Sequence, residues 1–157
     1  MGEAPRREVS WQELGELCKG LALAVKRRAH HDAVVGIARG GSIVGATLSF
    51  MLNLEYFPIR LAKHGGVTRV IVPPTPDLAG RTVALVDDLS RTGETFMIAL
   101  HELRRVGVKA VTTVALARRE PGFRPDLCAL TASAADKVVF PWGREELVGE
   151  RFELRKL

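Results

Sequence analysis

The sequence predicts an α/β domain: a mostly parallel sheet flanked by helices. Three observations carry that reading. Stretches of helical apolar spacing alternate with short β-rich runs, the pattern of strand–helix–strand units. Two of the runs, "RTVALVD" (81–87) and "KAVTTVALA" (109–117), are almost continuously apolar, as strands buried on both faces are. The 157 residues are 46% hydrophobic and 26% charged, which fits one ordered domain with a sizeable core.

Each element has its own signal. Ser10-x-x-Glu13 is a capping box, and Trp11, Leu14, Leu17, Leu21 and Val25 follow at helical spacing, predicting a helix over about 10–29. "AVVGIA" (33–38) reads as a strand that stops at Arg39-Gly40-Gly41, and helical spacing resumes from Ile43 to Leu52. "EYFPIRL" (55–61) reads as a strand in which Pro58 marks an edge or a bulge. "AKHGG" breaks the pattern before another strand, "TRVIVP" (68–73). Pro73, Pro74 and Pro76 mark the turn before 81–87. Phe96, Ala99, Leu100, Leu103 and Val106 give the next helix, with Gly107 as its C-cap. After the strand at 109–117 come a loop with Pro121 and Pro125, the small-residue stretch "LTASAAD", the run "KVVFPW" and a charged tail. No repeat or interdomain linker divides the chain, so residues 1–157 read as one domain.

Composition narrows the function. The net charge is +5, but the basic residues are scattered and the aromatic content is only 6%, which argues against nucleic acid as the partner. The same excess suits a site for a small, highly anionic ligand. Cys18 and Cys128 follow no metal-ligand spacing and read as reduced thiols. His30, His31 and His64 read as solvated loop histidines, and His101 as the outer face of its helix. "MGEAPRREVSW" has no apolar core of a secretory signal, and no run approaches the ~20 residues of a membrane helix. A cytoplasmic protein without membrane attachment is the expectation.

The chemistry concentrates in "VALVDDLSRTGETF" (83–96). A buried strand ends on Asp87 and Asp88, and Ser90 to Thr95 supply a glycine, three hydroxyls and backbone N–H groups at a helix start. That is a cradle for a phosphate monoester. Two carboxylates beside it would repel phosphate, so they must face another part of the ligand, such as ribose hydroxyls or a divalent cation. A sugar phosphate satisfies both. Neither GxxxxGK[ST] nor a strand-linked GxGxxG is present.

Residues 83–95 resemble the signature with which type I phosphoribosyltransferases bind 5-phosphoribosyl diphosphate (PRPP). "VVGIARGGSIVGA" (34–46) is similar to the family's strand and pyrophosphate loop, and "VVFPW" (138–142) to the C-terminal hood of small 6-oxopurine enzymes of the xanthine-guanine and hypoxanthine type. The resemblance covers about residues 10–145 and implies that fold, with a hood at approximately 120–145. It implies that Asp87 and Asp88 hold the ribose, with Asp88 the contact for Mg²⁺, that Ser90, Arg91, Thr92, Gly93, Glu94 and Thr95 surround the 5-phosphate, and that Arg39 and Gly40 meet the pyrophosphate. Residues 62–76 fall where the family's mobile loop closes. The implied reaction is transfer of the phosphoribosyl group to a nucleobase, a step of purine salvage, by an Mg²⁺-dependent homodimer or homotetramer.

The base site departs from the family pattern. The Asp that precedes Thr-Gly in 6-oxopurine enzymes is Arg91 here, and arginine cannot serve as a base at neutral pH. The lysine that donates to the 6-oxo group aligns with Arg118, and the stacking aromatic position with Lys137, beside Val138. Trp142 is the aromatic near the base, with hood packing as its plainer role. Two readings follow: a transferase acting on a nucleobase, with 6-oxopurines foremost, or a PRPP- or nucleotide-binding regulatory protein with weak or no transferase activity.

Overall fold

A computed structural model describes residues 5–143, and the charged tail lies outside them. In chain order it contains β1 (Arg6–Glu8), α1 (Trp11–Arg28), β2 (Ala33–Ala38), α2 (Gly40–Leu52), β3 (Glu55–His64), β4 (Val67–Val72), a 3-10 turn (Pro76–Leu78), β5 (Thr82–Ser90), α3 (Glu94–Arg105), β6 (Ala110–Glu120), β7 (Leu127–Ser133) and β8 (Lys137–Val139). Six strands form the main sheet in the order β4-β3-β2-β5-β6-β7, and β1 pairs with β8 in a separate two-stranded sheet. Every pairing in the main sheet is parallel except β3 with β4. The α/β architecture with a mostly parallel, helix-flanked sheet is the one the sequence predicts.

Two apolar layers explain the continuous runs in β2, β5 and β6. On one face α1 and α2 cover Val34, Ala84, Val86, Val114 and Leu116. On the other, α3 and the 3-10 turn cover Val35, Ile37, Val83, Leu85 and Ala115 through Phe96, Ala99, Leu103 and Leu78. With water excluded from both faces, alternation disappears from these strands.

Local signals set the helix ends. Ser10 Oγ accepts the Glu13 N–H at 3.1 Å, as the capping box predicts, and Lys26, Arg27 and Arg28 complement the dipole in the last turn of α1. At the end of α3, Gly107 (φ 86°) donates to the Arg104 carbonyl at 3.0 Å and Val108 to the Leu103 carbonyl at 3.1 Å, a Schellman motif.

The structure differs from the sequence reading at five places. β5 does not end at Asp87: Leu89 and Ser90 still pair with Ala117 and Arg118. The "AKHGG" break belongs to a hairpin, because Gly65 and Gly66, both at positive φ, make the two-residue turn between β3 and β4. "LTASAAD" contributes most of β7, the edge of the main sheet, so much of the range 120–145 is not hood. The small sheet instead joins residues 137–139 to the unanticipated strand 6–8, through Lys137 N–H to Pro5 carbonyl at 2.7 Å and Val9 N–H to Val139 carbonyl at 2.9 Å. Finally, His31 is not solvated. It is 4% exposed, its Nδ1 bonds the Ala29 carbonyl at 3.0 Å and its Nε2 the Thr112 hydroxyl at 2.9 Å. Burial pushes its pKa down. Pro58 sits where β4 has not yet joined β3, whose pairing with it begins at Arg60, so its missing N–H leaves no ladder partner unmet.

Cys18 is buried and Cys128 half-buried, both as free thiols. Among the described residues no helix is long and apolar enough to cross a membrane.

Candidate ligand cleft at the carboxyl ends of the central strands

The chain moves outward from β2 toward β3 on one side and from β5 toward β6 on the other. The carboxyl ends of β2 and β5 therefore flank the switch point at which open α/β sheets bind ligands. A cleft of about 630 Å³ opens there. It is lined by Arg39 and Gly40 after β2, by the whole stretch from Asp87 to Phe96, by Lys63 and Thr68 of the hairpin, and by Val138 and Phe140 beside the small sheet.

Asp87 and Asp88 lie near the carboxyl end of β5 but differ in environment. Asp87 is 8% exposed, and burial, reinforced by the neighbouring Asp88 charge, pushes its pKa well above the usual carboxylate range. The Asp88 N–H donates to Asp87 Oδ1 at 2.9 Å, and the Leu89 N–H to Asp88 Oδ1 at 2.7 Å. Asp88 also lies directly against Gly40 at the start of α2, where any β-carbon would collide with its carboxylate. The glycine thus lets the backbone after β2 approach the acidic pair. The Ala38–Arg39 peptide between them is cis.

The loop 90–93 is braced from behind. Gly93 caps α3 at φ 85°, a conformation only glycine adopts without cost, and a side chain there would run into Phe123. Phe123 stacks on Phe96 with ring centroids 5.3 Å apart and donates its N–H to the Arg91 carbonyl at 3.0 Å. Ser90 is 2% exposed, and its hydroxyl points at the Phe123 carbonyl, 3.5 Å away, rather than into the cleft. Thr92 Oγ1 accepts the Glu94 N–H at 3.4 Å, while Thr95 lines the cleft and Arg91 is exposed at its wall. The start of α3 lines the same cleft as the two carboxylates, and its N-terminal amides favour negative charge.

The residues expected around a base divide. Val138 lines the cleft. Arg118 and Lys137 are not among the lining residues. Arg118 is ion-paired with Glu120, two residues along β6 on the same face, and Lys137 lies in β8 opposite Arg6. Trp142 stacks on Phe140 at 4.8 Å and leans toward Trp11 at 6.3 Å, so it supports the wall that Phe140 presents. Sequence reasoning singled out none of Lys63, Thr68, Phe123 and Phe140 as site residues, although Lys63 and Thr68 fall in the 62–76 segment expected to close over the site and Phe140 in the "VVFPW" run. The first two flank a Gly-Gly turn, a hairpin signal that was available. Phe123 carries no local signal.

The family model described as a phosphoribosyl transferase domain matches residues 10–143. An orotate phosphoribosyltransferase of Methanospirillum hungatei is 29% identical over 92 residues, 58% of this chain and 52% of that protein. An adenine phosphoribosyltransferase of Bordetella parapertussis is 34% identical over 104 residues, 57% of this chain and 53% of that protein. The chain spans about half the length of the curated relatives it matches. A purine phosphoribosyltransferase from Pyrococcus horikoshii superposes with a TM-score of 0.80 at 25% identity, covering 97% of this chain and 99% of that one. A Helicobacter pylori xanthine-guanine-hypoxanthine phosphoribosyltransferase shares the fold, with a TM-score of 0.77, 19% identity and coverage of 90% and 95%.

Proposed function

The chain belongs to the family of phosphoribosyl transferase domains, and we propose that it transfers the phosphoribosyl group of PRPP to a nucleobase, with a 6-oxopurine as the foremost acceptor. One observation carries the proposal: an acidic pair with Asp87 buried and Asp88 more accessible, an N-terminal helix cradle and the Arg39–Gly40 turn share one cleft at the switch point of the sheet. A purine acceptor is supported by the near full-length likeness to a purine enzyme, while the relatives named for orotate and adenine make those two bases the rivals of a 6-oxopurine.

In this reading the 5-phosphate rests on the amides of residues 91–95, and the ribose hydroxyls face Asp87 and Asp88. Pyrophosphate lies toward Arg39 and the Gly40 N–H. A ring nitrogen of the base forms a bond to C1′ as the bond from C1′ to the pyrophosphate oxygen breaks. The carboxylates favour the positive charge that develops on the ribosyl ring. The base lies against Val138 and Phe140, with Arg118 and Lys137 as outer contacts and Trp142 behind Phe140.

Among the described residues no three acidic, cysteine or histidine side chains converge into a protein-only metal cage. Two adjacent carboxylates do fit Mg²⁺, which commonly takes one or two carboxylates and completes its shell with water and phosphate oxygens. Asp88, the more accessible of the pair, would hold it. Bound there, the ion would offset the charge of the departing pyrophosphate. The cytoplasmic setting and assembly as a homodimer or homotetramer belong to the same proposal, the latter checked by sedimentation.

Arg91 favours a second reading. A fixed cation stands at the cleft wall where a 6-oxopurine enzyme carries a carboxylate, as in a regulatory protein that binds PRPP or a nucleotide without turning it over. Pyrophosphate release from PRPP and Mg²⁺ with a panel of bases separates the two. Release that depends on any base supports the transferase, and release with hypoxanthine or guanine rather than orotate or adenine supports the 6-oxopurine acceptor. Tight PRPP binding without release from any base supports the regulator.

A further inference from the structure

Lys63 on β3 and Thr68 on β4 are partners across the hairpin, and both side chains reach one carboxylate in the phosphate cradle. Thr68 Oγ1 donates to Glu94 Oε1 at 3.0 Å, and Lys63 Nζ lies 3.8 Å from Glu94 Oε2. All three residues line the cleft. Beyond this bridge the hairpin tip is open: nothing lies within 4 Å of where a β-carbon would stand at Gly65 or Gly66, and Val67 is exposed.

Glu94 opens α3, where a carboxylate suits the helix dipole, but the same dipole is what an incoming phosphate would use. We infer that Glu94 is a stand-in anion: in the ligand-free protein it holds Lys63 and with it the hairpin, and a phosphate group entering the cradle takes Lys63 over. The inference rests on the reading above that places a phosphate at the start of α3. A phosphate monoester carries close to two negative charges against one on Glu94, so the ammonium gains by the exchange. The flexible four-carbon stem of lysine lets Nζ move while the hairpin backbone stays in place. Glu94 is then a positioning residue and Lys63 a ligand contact supplied by the hairpin.

The two side chains must act with opposite sign on ligand binding, which a purely structural bridge would not produce. Hydrogen exchange at the amides of residues 63–68 in the ligand-free protein should quicken about two- to fivefold in both Glu94→Gln and Lys63→Met, the size expected for losing one exposed charged contact. Calorimetric titration with PRPP, and separately with inorganic phosphate, should show about three- to tenfold tighter binding in Glu94→Gln and comparably weaker binding in Lys63→Met. Unchanged exchange in both variants would overturn the bridge. Weaker binding in both would overturn the exchange of partners. Binding of inorganic phosphate with these signs, but no PRPP turnover, would uphold this inference while removing the transferase reading. Faster exchange with no binding of either anion by the native protein would overturn both the takeover of Lys63 and the placement of phosphate on which it rests.

Discussion

At the scale of single residues, the acidic pair gives the firmest expectation. Asp88→Asn keeps an oxygen to accept the Leu89 N–H, so the end of β5 should survive while the charge is lost. PRPP-dependent turnover should fall at least ~100-fold, a usual scale for an aligned electrostatic contact, and steady-state rates on a folded variant check it. Arg91→Asp tests the base site by sign. If the protein is a 6-oxopurine enzyme held back at this position, a carboxylate there supplies a general acid–base and removes a cation from a cationic transition state. Initial rates with hypoxanthine or guanine should then rise ~10–100-fold. A loss with every base would make Arg91 a contact for an anion instead. His31 gives a pH expectation. Burial pushes its pKa below the unfolded value, so the unfolded chain binds the extra proton. Stability is therefore retained above about pH 6.5 and lost as pH falls below it, at no more than ~1.4 kcal/mol per pH unit. Denaturant titrations between pH 7 and 5 should show a shallower loss in His31→Gln.

At the scale of elements, the connection from β6 to β7 sets the shape of the loop 90–93. Only residues 121–126 return the chain from Glu120 to Leu127, which pairs back at Val114. Seven extended steps of ~3.3 Å barely cover that distance. So short a link is drawn taut along the face of the sheet, and it brings Phe123 onto Phe96 and behind Gly93. Phe123→Ala removes the stack and the wall together. It should cost about 2 kcal/mol, below the range for a fully buried Phe because this ring is only half-buried, and it should weaken PRPP binding more than it lowers maximal turnover. Thermal denaturation and the split between KM and kcat read the two effects. The helices were the most legible elements, since Ser10 and Glu13 cap α1 and Gly107 closes α3 through bonds between near neighbours. β1 and β7 were not. Arg6, Arg7 and Glu8 are all exposed, and they form a strand only because β8 lies alongside.

At the scale of the whole molecule, a ligand that binds the native state alone must raise its melting temperature. PRPP with Mg²⁺ at one hundred times its dissociation constant should add about 2.7 kcal/mol, whether or not a base is ever turned over. Scanning calorimetry with PRPP against buffer measures it. No shift with PRPP beside a clear one with RNA would favour a regulator that binds RNA. The layers of the fold were readable because burial on both faces writes itself into consecutive residues: "AVVGIA" and "TVALV" had to be central strands. Asp87, Asp88 and the start of α3 were equally readable, because a strand end and a helix start adjacent in sequence are adjacent in space. The sequence by itself thus determined the central strands, the helices and the half of the cleft formed by the acidic pair and the start of α3, all of which rest on periodicity and short-range bonding. Only the tertiary structure decided what encloses that half. Lys63 and Thr68 reach Glu94 from some thirty residues away in sequence, Phe123 comes from the β6–β7 connection to stand behind Gly93, and Phe140 reaches the cleft from just after β8. Such contacts depend on strand order and loop length, and no local pattern of residues encodes which distant side chains will meet.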